Sequence, residues 1–259
     1  MNRFVQELEG RRLLSATLTD GALDVQGTKA NNNITVSLNA DGTLSVIESI
    51  ARAGRKASAG TTTTFTAAEV ATITSIVVSG GKGNDTISFR NLSDDDFAVP
   101  ATISGGAGND WIRAGAGADV ITGDDGNDQI DAGAGNDTVS GGDGDDRLDG
   151  QAGDDLLNGD DGNDKITGGA GVDAMNGGDE DDTFFAAGDG AVDTIDGGLD
   201  TAETGEDDQD TAYVDATDDV TDVVTNATIG EGTGRGGRGG GPGGHHGGFG
   251  RHGGRGGRF

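Results

Sequence analysis

The feature that most constrains this chain is a nine-residue repeat that fills residues 105–185 without a break. Nine consecutive units share one frame, from GGAGNDWIR at the start to GGDEDDTFF at the end. Position six is aspartate in every unit, and position eight is always apolar. Glycine occupies position four in eight of the nine units, with Glu180 as the exception. An apolar position held through so many units favours a packed solenoid over a low-complexity spacer.

The units follow the pattern G-G-x-G-x-D-x-U-x, in which U is an apolar residue. The chain therefore resembles the RTX, or haemolysin-type calcium-binding, repeat family. This resemblance implies a parallel β-roll in which two units close one coil and calcium lies between the turns of units n and n+2. The expected fold class is all-β, a parallel β-roll (RTX solenoid) with β-rich caps and a disordered C-terminal tail.

The spacing suits calcium (Ca2+), which takes six to eight oxygen ligands from carboxylates, backbone carbonyls and water. Glycines at positions one, two and four allow a turn to point several carbonyl groups inward, and one aspartate per turn supplies charge. The candidate metal ligands at position six are Asp110, Asp119, Asp128, Asp137, Asp146, Asp155, Asp164, Asp173 and Asp182. Asp85 holds the same position in an isolated unit at 80–88. Because Asp182 ends the unbroken series, we expect it to have a stacked partner on one side only.

Charge and composition predict that folding and metal binding are one event. Residues 105–230 contain 34 acidic residues and three basic ones. The carboxylates of this segment repel one another and oppose folding until cations neutralise them. Only 32% of the chain is hydrophobic and 52 residues are glycine, which leaves no ordinary globular core. The chain has no cysteine, which excludes disulfides and thiolate metal sites.

The segments before the repeat divide into three. Residues 1–16 contain no apolar run long enough for a secretory signal. Residues 8–16, LEGRRLLSA, resemble the LEPRxLL-type motif of exported proteins in planctomycete-like bacteria, with Gly10 in place of proline. This indicates a targeting leader, and a short amphipathic leader is the alternative. Residues 17–79 alternate as strands at 23–25, 34–38, 44–47 and 73–78 and predict a β-rich N-terminal cap, in which Asn32 stands in the aspartate position of a decayed unit. Residues 80–104 hold the isolated repeat and an insertion, 89–104, expected to form a surface loop.

The segments after the repeat divide into two. Residues 186–230 contain a degenerate unit, GDGAVDTID, and a strand-like stretch at 211–214, and they predict a C-terminal cap. Residues 231–259 hold sixteen glycines, five arginines and three histidines, a composition that predicts disorder. This tail has three interpretations: a cationic tether to an acidic surface, an RGG-type nucleic-acid-binding tail, or an adventitious metal site at His245, His246 and His252.

The motifs favour a binding or structural protein over an enzyme. The sequence has no H-E-x-x-H, G-x-S-x-G or G-x-x-x-x-G-K-[ST] motif, and histidine is absent before residue 245. The function predicted is calcium binding by a secreted or cell-surface bacterial protein with a structural or adhesive role, whose partners are calcium ions and components of the cell surface or matrix. The alternative is a nucleic-acid-binding protein that acts through its Arg/Gly-rich tail, which the acidic body disfavours. No transmembrane segment is expected.

Overall fold

The computed structural model describes residues 15–50, 60–90, 92, 98–186, 191–198, 210–214 and 219–221. The predicted tail at 231–259 and nearly all of the predicted leader lie outside these residues, as does most of 199–230. None of the helices in the described ranges has the length and apolar character needed to cross a membrane.

The described elements are strands, with one short helix. The first part of the chain forms β1 (Ser15–Thr19), β2 (Ala22–Thr28), β3 (Asn32–Leu38), β4 (Leu44–Ile50), β5 (Thr61–Phe65), α1 (Ala67–Val70), β6 (Ser75–Lys82) and β7 (Thr86–Arg90). The next part forms β8 (Ala101–Ala107), β9 (Trp111–Arg113), β10 (Val120–Asp125), β11 (Gln129–Ala134), β12 (Thr138–Asp143), β13 (Arg147–Ala152) and β14 (Leu156–Asp161). The last strands are β15 (Lys165–Ala170), β16 (Ala174–Asp179), β17 (Thr183–Phe185), β18 (Thr194–Asp196), β19 (Thr211–Tyr213) and β20 (Asp219–Thr221).

These strands form two sheets of ten strands each. Sheet A has the order β1-β2-β6-β8-β10-β12-β14-β16-β18-β20, and sheet B has the order β19-β17-β15-β13-β11-β9-β7-β3-β4-β5. Successive units alternate between the sheets, so each strand of the repeat pairs in parallel with the strand two units away, as Ile130 pairs with Leu148 and Ile112. The prediction of an all-β parallel roll closed by two units per coil is therefore confirmed.

The core between the sheets is a narrow file of position-eight side chains. In the repeat these residues are at most 2% exposed, and they are Ile112, Ile121, Ile130, Val139, Leu148, Leu157, Ile166, Met175 and Phe184. Most strands of the repeat contribute one large apolar side chain to this file because their next inward position is glycine, as at Gly141 and Gly150. The repeat thus buries little apolar surface per strand.

We call strands β1 to β6 with α1 the N-terminal unit (residues 15–82). This unit buries more apolar surface per strand than the repeat does. Its strands β2, β3, β4 and β6 each bury two large apolar side chains, as Leu23 and Val25 do in β2. The Asp20-Gly21 turn, with φ of 49° and 86°, joins β1 to β2 as a tight hairpin. The four predicted strands of this segment are confirmed, while β1, β5 and α1 were not predicted. In α1, Thr66 and Glu69 form a capping box.

The predicted surface loop at 89–104 is wrong at both ends. Phe89 and Arg90 continue β7, and residues 101–104 begin β8, a full strand of sheet A that pairs with β6 and β10. Ile103 is 1% exposed and pairs with Ile121, so it occupies position eight of a unit whose turn is not a glycine turn. The physical reason is that the roll needs a sheet A strand between β7 and β9 to close its coil.

Glu48 lies at the end of the row of inward apolar side chains of sheet B, next to Ile34. It pairs with Ile34, which pairs with Ile87, and its side chain is 2% exposed. Neither carboxylate oxygen has a hydrogen-bond partner among the described residues. Removal from water raises the pKa of Glu48 from 4.5 to about 7. The ionised form therefore costs stability, and the cost is absent below pH 4.5 and complete above pH 7.

Replacing Glu48 with leucine is expected to stabilise the N-terminal unit. At pH 8 the gain in the free energy of unfolding should be roughly 1 to 3 kcal/mol, since the substitution removes an unpartnered buried charge. The gain should shrink as the pH falls towards 5, because the wild-type carboxyl group becomes protonated. Thermal denaturation of both chains in calcium at the two pH values measures it. Destabilisation at pH 8 would instead indicate a cationic partner from segment 51–59, outside the described residues.

Candidate metal centres

The position-six aspartates lie at the ends of the turns that join the two sheets. We call the turns that lead from sheet A to sheet B the AB turns, and those that return the BA turns. Asp128 ends an AB turn directly before β11, and Asp137 ends a BA turn directly before β12. Equivalent turns stack every 18 residues, so each edge of the roll carries its own series of aspartates.

On the AB side the aspartates form a continuous hydrogen-bonded ladder. The backbone N–H of Asp110 donates to Oδ1 of Asp128 at 2.6 Å, and that of Asp128 donates to Oδ1 of Asp146 at 2.6 Å. The same bond links each member to the next. The AB ladder comprises Asp85, Asp110, Asp128, Asp146, Asp164, Asp182 and Asp210.

A second ladder runs along the BA side. It begins with the backbone N–H of Ala101, which donates to Oδ1 of Asp119 at 2.7 Å. The BA ladder comprises Asp119, Asp137, Asp155, Asp173 and Asp193. All ten aspartates predicted as ligands therefore lie in one ladder or the other.

The second carboxylate oxygen in most of these aspartates is buried without a donor. Every ladder aspartate is at most 4% exposed. Among the described residues, no hydrogen-bond partner reaches Oδ2 of Asp85, Asp110, Asp128, Asp137, Asp146, Asp155 or Asp164. A buried carboxylate oxygen without a partner is costly, so a row of them indicates that a cation belongs beside them.

Burial also disfavours the charged form of these carboxyl groups. Loss of contact with water is the main cause, and it raises the pKa of Asp119 to about 6, that of Asp110, Asp128, Asp146 and Asp164 to about 7, and that of Asp137 to about 8. Neighbouring carboxylates, such as Asp164 beside Asp146, add to the rise. A divalent cation beside the ladder would reverse this effect by favouring the ionised carboxylates.

The remaining ligands would have to be backbone carbonyls. The described residues contain no group of three or more His, Cys, Asp or Glu side chains placed to hold a metal ion. In the AB turns, position one is a glycine beside the unpartnered oxygen. A Cβ placed on Gly141 would overlap Oδ2 of Asp146 and lie 2.6 Å from the carbonyl oxygen of Gly159. Carboxylate and carbonyl oxygens thus converge on a space without a side chain, and this donor set fits calcium.

The BA turns fit less uniformly. Alanine replaces glycine at position one in two of them, at Ala114 and Ala132. At the equivalent Gly150 a Cβ would overlap Oδ2 of Asp155, so a methyl group at this position is a tight fit beside that oxygen. In the first of these turns, Oδ2 of Asp119 accepts a hydrogen bond from the N–H of Gly115 at 3.3 Å. The AB turns also stack four position-three aspartates in register, namely Asp125, Asp143, Asp161 and Asp179. The AB turns therefore fit a cation more uniformly than the BA turns do.

The N-terminal end of the AB ladder is closed by an amide. Asn32 occupies the aspartate position, is 1% exposed, and its backbone N–H donates to Oδ1 of Asp85 at 2.6 Å. Its Nδ2 group lies among three oxygens, those of Ala30 at 2.5 Å, Asp85 Oδ1 at 2.8 Å and Gly80 at 3.1 Å. The side-chain amide thus donates protons to oxygens that a cation would otherwise have to satisfy.

Two ladder residues were missed from the sequence. The backbone N–H of Asp173 donates to Asp193 Oδ1 at 2.9 Å, and that of Asp182 donates to Asp210 Oδ1 at 2.9 Å. The expectation that Asp182 has a partner on one side only is therefore wrong, because β19 extends sheet B beyond it. Asp193 lies in the degenerate unit at 188–196, and Asp210 keeps only the aspartate followed two residues later by an apolar residue, Ala212.

Comparison with models of protein families identifies the same nine-residue repeat. The model of the RTX calcium-binding nonapeptide repeat matches the chain in four copies, at residues 77–89, 102–130, 122–157 and 149–184. The first match covers the isolated unit that carries Asp85, and the other three cover most of the uninterrupted repeat. A search of curated proteins finds no match to the chain.

Proposed function

We propose that this RTX-type repeat protein is exported, has a structural or adhesive role and folds its roll around calcium. RTX nonapeptide repeats bind calcium and form a structural unit rather than a catalytic one. The observation that carries the proposal is the row of buried Oδ2 atoms without a protein donor. In this proposal the ladder aspartates supply one carboxylate oxygen each to the ions, and the turn carbonyls supply the rest.

The roles of the two carboxylate oxygens differ. Oδ1 of each aspartate holds the backbone N–H of the preceding coil and so fixes the stacking of the turns. Oδ2 is the oxygen available to an ion. Calcium would neutralise the charge that opposes stacking of the acidic turns. We propose that the AB ladder fills first, because its position-one glycines leave more room than Ala114 and Ala132 do in the BA turns.

The calcium dependence that we propose for the roll supports export. Extracellular calcium-binding modules work at affinities of about 0.1 to 1 mM, far weaker than cytosolic sensors. A roll that needs calcium at that concentration stays unfolded where calcium is scarce and folds where it is abundant. The motif at residues 8–16 is consistent with export. The chain has no cysteine, so metal ions would take the stabilising role that disulfides have in many exported proteins.

Isothermal titration tests the proposal. We expect calcium to bind several sites of the whole chain, and magnesium to bind poorly because it demands octahedral geometry and keeps its water. Removing residues 231–259 should leave the number of bound calcium ions unchanged, since that tail has one carboxylate and no repeat. Absence of calcium binding by the whole chain contradicts the proposed function. A lower ion count in the truncated chain contradicts only the placement of the ions in the ladders.

A further inference from the structure

The outer face of sheet B differs in charge from the rest of the protein. The chain has a net charge of -29, yet four of the six described basic residues lie on this one face: Arg90, Arg113, Arg147 and Lys165. Only two carboxylates, Asp131 and Asp149, lie among them on the outward positions of β7 to β19. The corresponding outward row of sheet A from Val77 to Thr194 has no charged residue.

Aromatic side chains accompany these cations. Trp111, the single tryptophan of the chain, lies on β9 next to Arg113. At the other end of the face, the rings of Phe185 and Tyr213 stack with centroids 4.9 Å apart, and Nζ of Lys165 lies 4.5 Å from the centroid of Phe185. We call Arg90, Trp111, Arg113, Arg147, Lys165, Phe185 and Tyr213 the basic-aromatic face.

One end of this face is a groove of about 620 Å³, within the size range of ligand sites. Its lining includes Arg90, Trp111, Arg113 and Gln151, and the small residues Gly115 and Gly133. Arg113 forms an ion pair with Asp131, with 3.4 Å between Nε and Oδ2, and the Arg113 side chain is still 58% exposed to solvent. An aromatic ring and two guanidinium groups therefore border a groove that has room for a ring-shaped ligand.

We propose that the basic-aromatic face binds an acidic polysaccharide that runs across the strands. The inference rests on the adhesive part of the proposed function and gives it a partner. A sugar ring stacks on Trp111, and its carboxylate pairs with the guanidinium groups of Arg90 and Arg113, which suit planar anions. From β7 to β19 the face spans six strand spacings, or about 29 Å, so a polymer reaches the second aromatic pair.

The distribution of charge favours a glycan over a nucleic acid. A nucleic acid carries one phosphate about every 1.7 to 3.4 Å, and the acidic AB turns beside the face would repel it. An acidic glycan has sparser charge and many hydroxyl groups. Asp131, Asp149 and Gln151 can accept hydrogen bonds from those hydroxyl groups, whereas the two carboxylates would oppose phosphates.

The test uses the whole chain in saturating calcium and an oligosaccharide of alternating glucuronate and N-acetylglucosamine. Trp111 fluorescence should change on binding, because this side chain lines the groove. The signal is specific to the groove, since Trp111 is the single tryptophan of the chain. The Arg90→Gln, Arg113→Gln double variant should bind about tenfold more weakly or worse, since it loses charge-assisted hydrogen bonds. The control is the Lys29→Gln, Lys82→Gln double variant, which loses the same two charges away from the face. Lys29 directly follows β2 and Lys82 ends β6, both strands of sheet A. Its affinity for the oligosaccharide should stay within about twofold of the wild type.

Each other outcome contradicts the inference in a definite way. Equal binding of a neutral oligosaccharide of the same length removes the role of charge. Tighter binding of single-stranded DNA that the Arg90→Gln, Arg113→Gln variant weakens assigns the face to nucleic acid. Equal weakening in the two double variants indicates a general effect of net charge. Circular dichroism of the same samples separates the two proposals: a chain that fails to fold in calcium contradicts the proposed function, and a folded chain that does not bind contradicts this inference alone.

Discussion

Removal of calcium is expected to unfold the repeat at 105–185 and to leave the N-terminal unit folded. Each strand of the repeat buries one large apolar residue beside carboxylates that repel one another, whereas strands such as β2 and β3 bury two and lie in a hairpin-rich unit. A site at a calcium concentration tenfold above its dissociation constant contributes about 1.4 kcal/mol. Several such sites together contribute about 5 to 10 kcal/mol, the whole stability of a typical domain.

Two signals separate these parts of the chain. Trp111 lies in the repeat, so its fluorescence should shift to that of an exposed indole when a chelator is added, together with loss of most of the strand signal in circular dichroism. Hydrogen exchange should still show protected amides in β2, β3 and β4. The prediction is wrong if the fluorescence of Trp111 is the same with and without calcium, or if both parts of the chain unfold together.

Replacement of Asp146 by alanine is expected to raise the calcium concentration at the midpoint of folding by tenfold or more. It leaves the buried N–H of Asp128 without its acceptor, at a cost of about 1 to 3 kcal/mol, and it removes a proposed calcium ligand. The calcium titration should also become less steep, because coils contact only their neighbours and the lesion divides the AB ladder.

The matched control is Asp149→Ala in the same unit. It removes the same charge from a half-exposed side chain on the outer face of sheet B, away from both ladders, and should change the free energy of unfolding by less than about 0.5 kcal/mol. Asp182→Ala should behave like Asp146→Ala and not like a frayed end, since Asp182 stands between Asp164 and Asp210 in the ladder. If Asp149→Ala is as harmful as Asp146→Ala, net charge and not the ladder governs folding.

The repeat was predictable because its period fixes both the fold and the candidate site. A nine-residue frame with one apolar position specifies a short strand, and stacking then places aspartates such as Asp128 and Asp146 next to each other. The hydrogen bond from each aspartate N–H to the next carboxylate was not predictable, because it depends on which oxygen faces the neighbouring coil.

The segments on either side of the repeat were harder to predict, because their strands join the roll although their residues do not follow the nine-residue pattern. Ile103 occupies position eight of the frame one unit before Gly105, and Ala101 replaces the aspartate and donates its N–H to Asp119. Only the apolar residue of that unit survives, so a loop was the natural expectation. The capping box of Thr66 and Glu69 was readable as T-x-x-E, yet its helix has only four residues.

The amide of Asn32 has a consequence for the order in which the coils assemble. Identical units can pair out of step by one whole coil, and a shift of 18 residues leaves every inward side chain inward, so the pattern alone does not exclude it. The backbone N–H and the Nδ2 group of Asn32 donate to Ala30, Gly80 and Asp85 Oδ1 without any metal, so the first coil has a fixed template before calcium arrives. Assembly from that one seeded end gives each later unit a single neighbour to join, which makes the register unique.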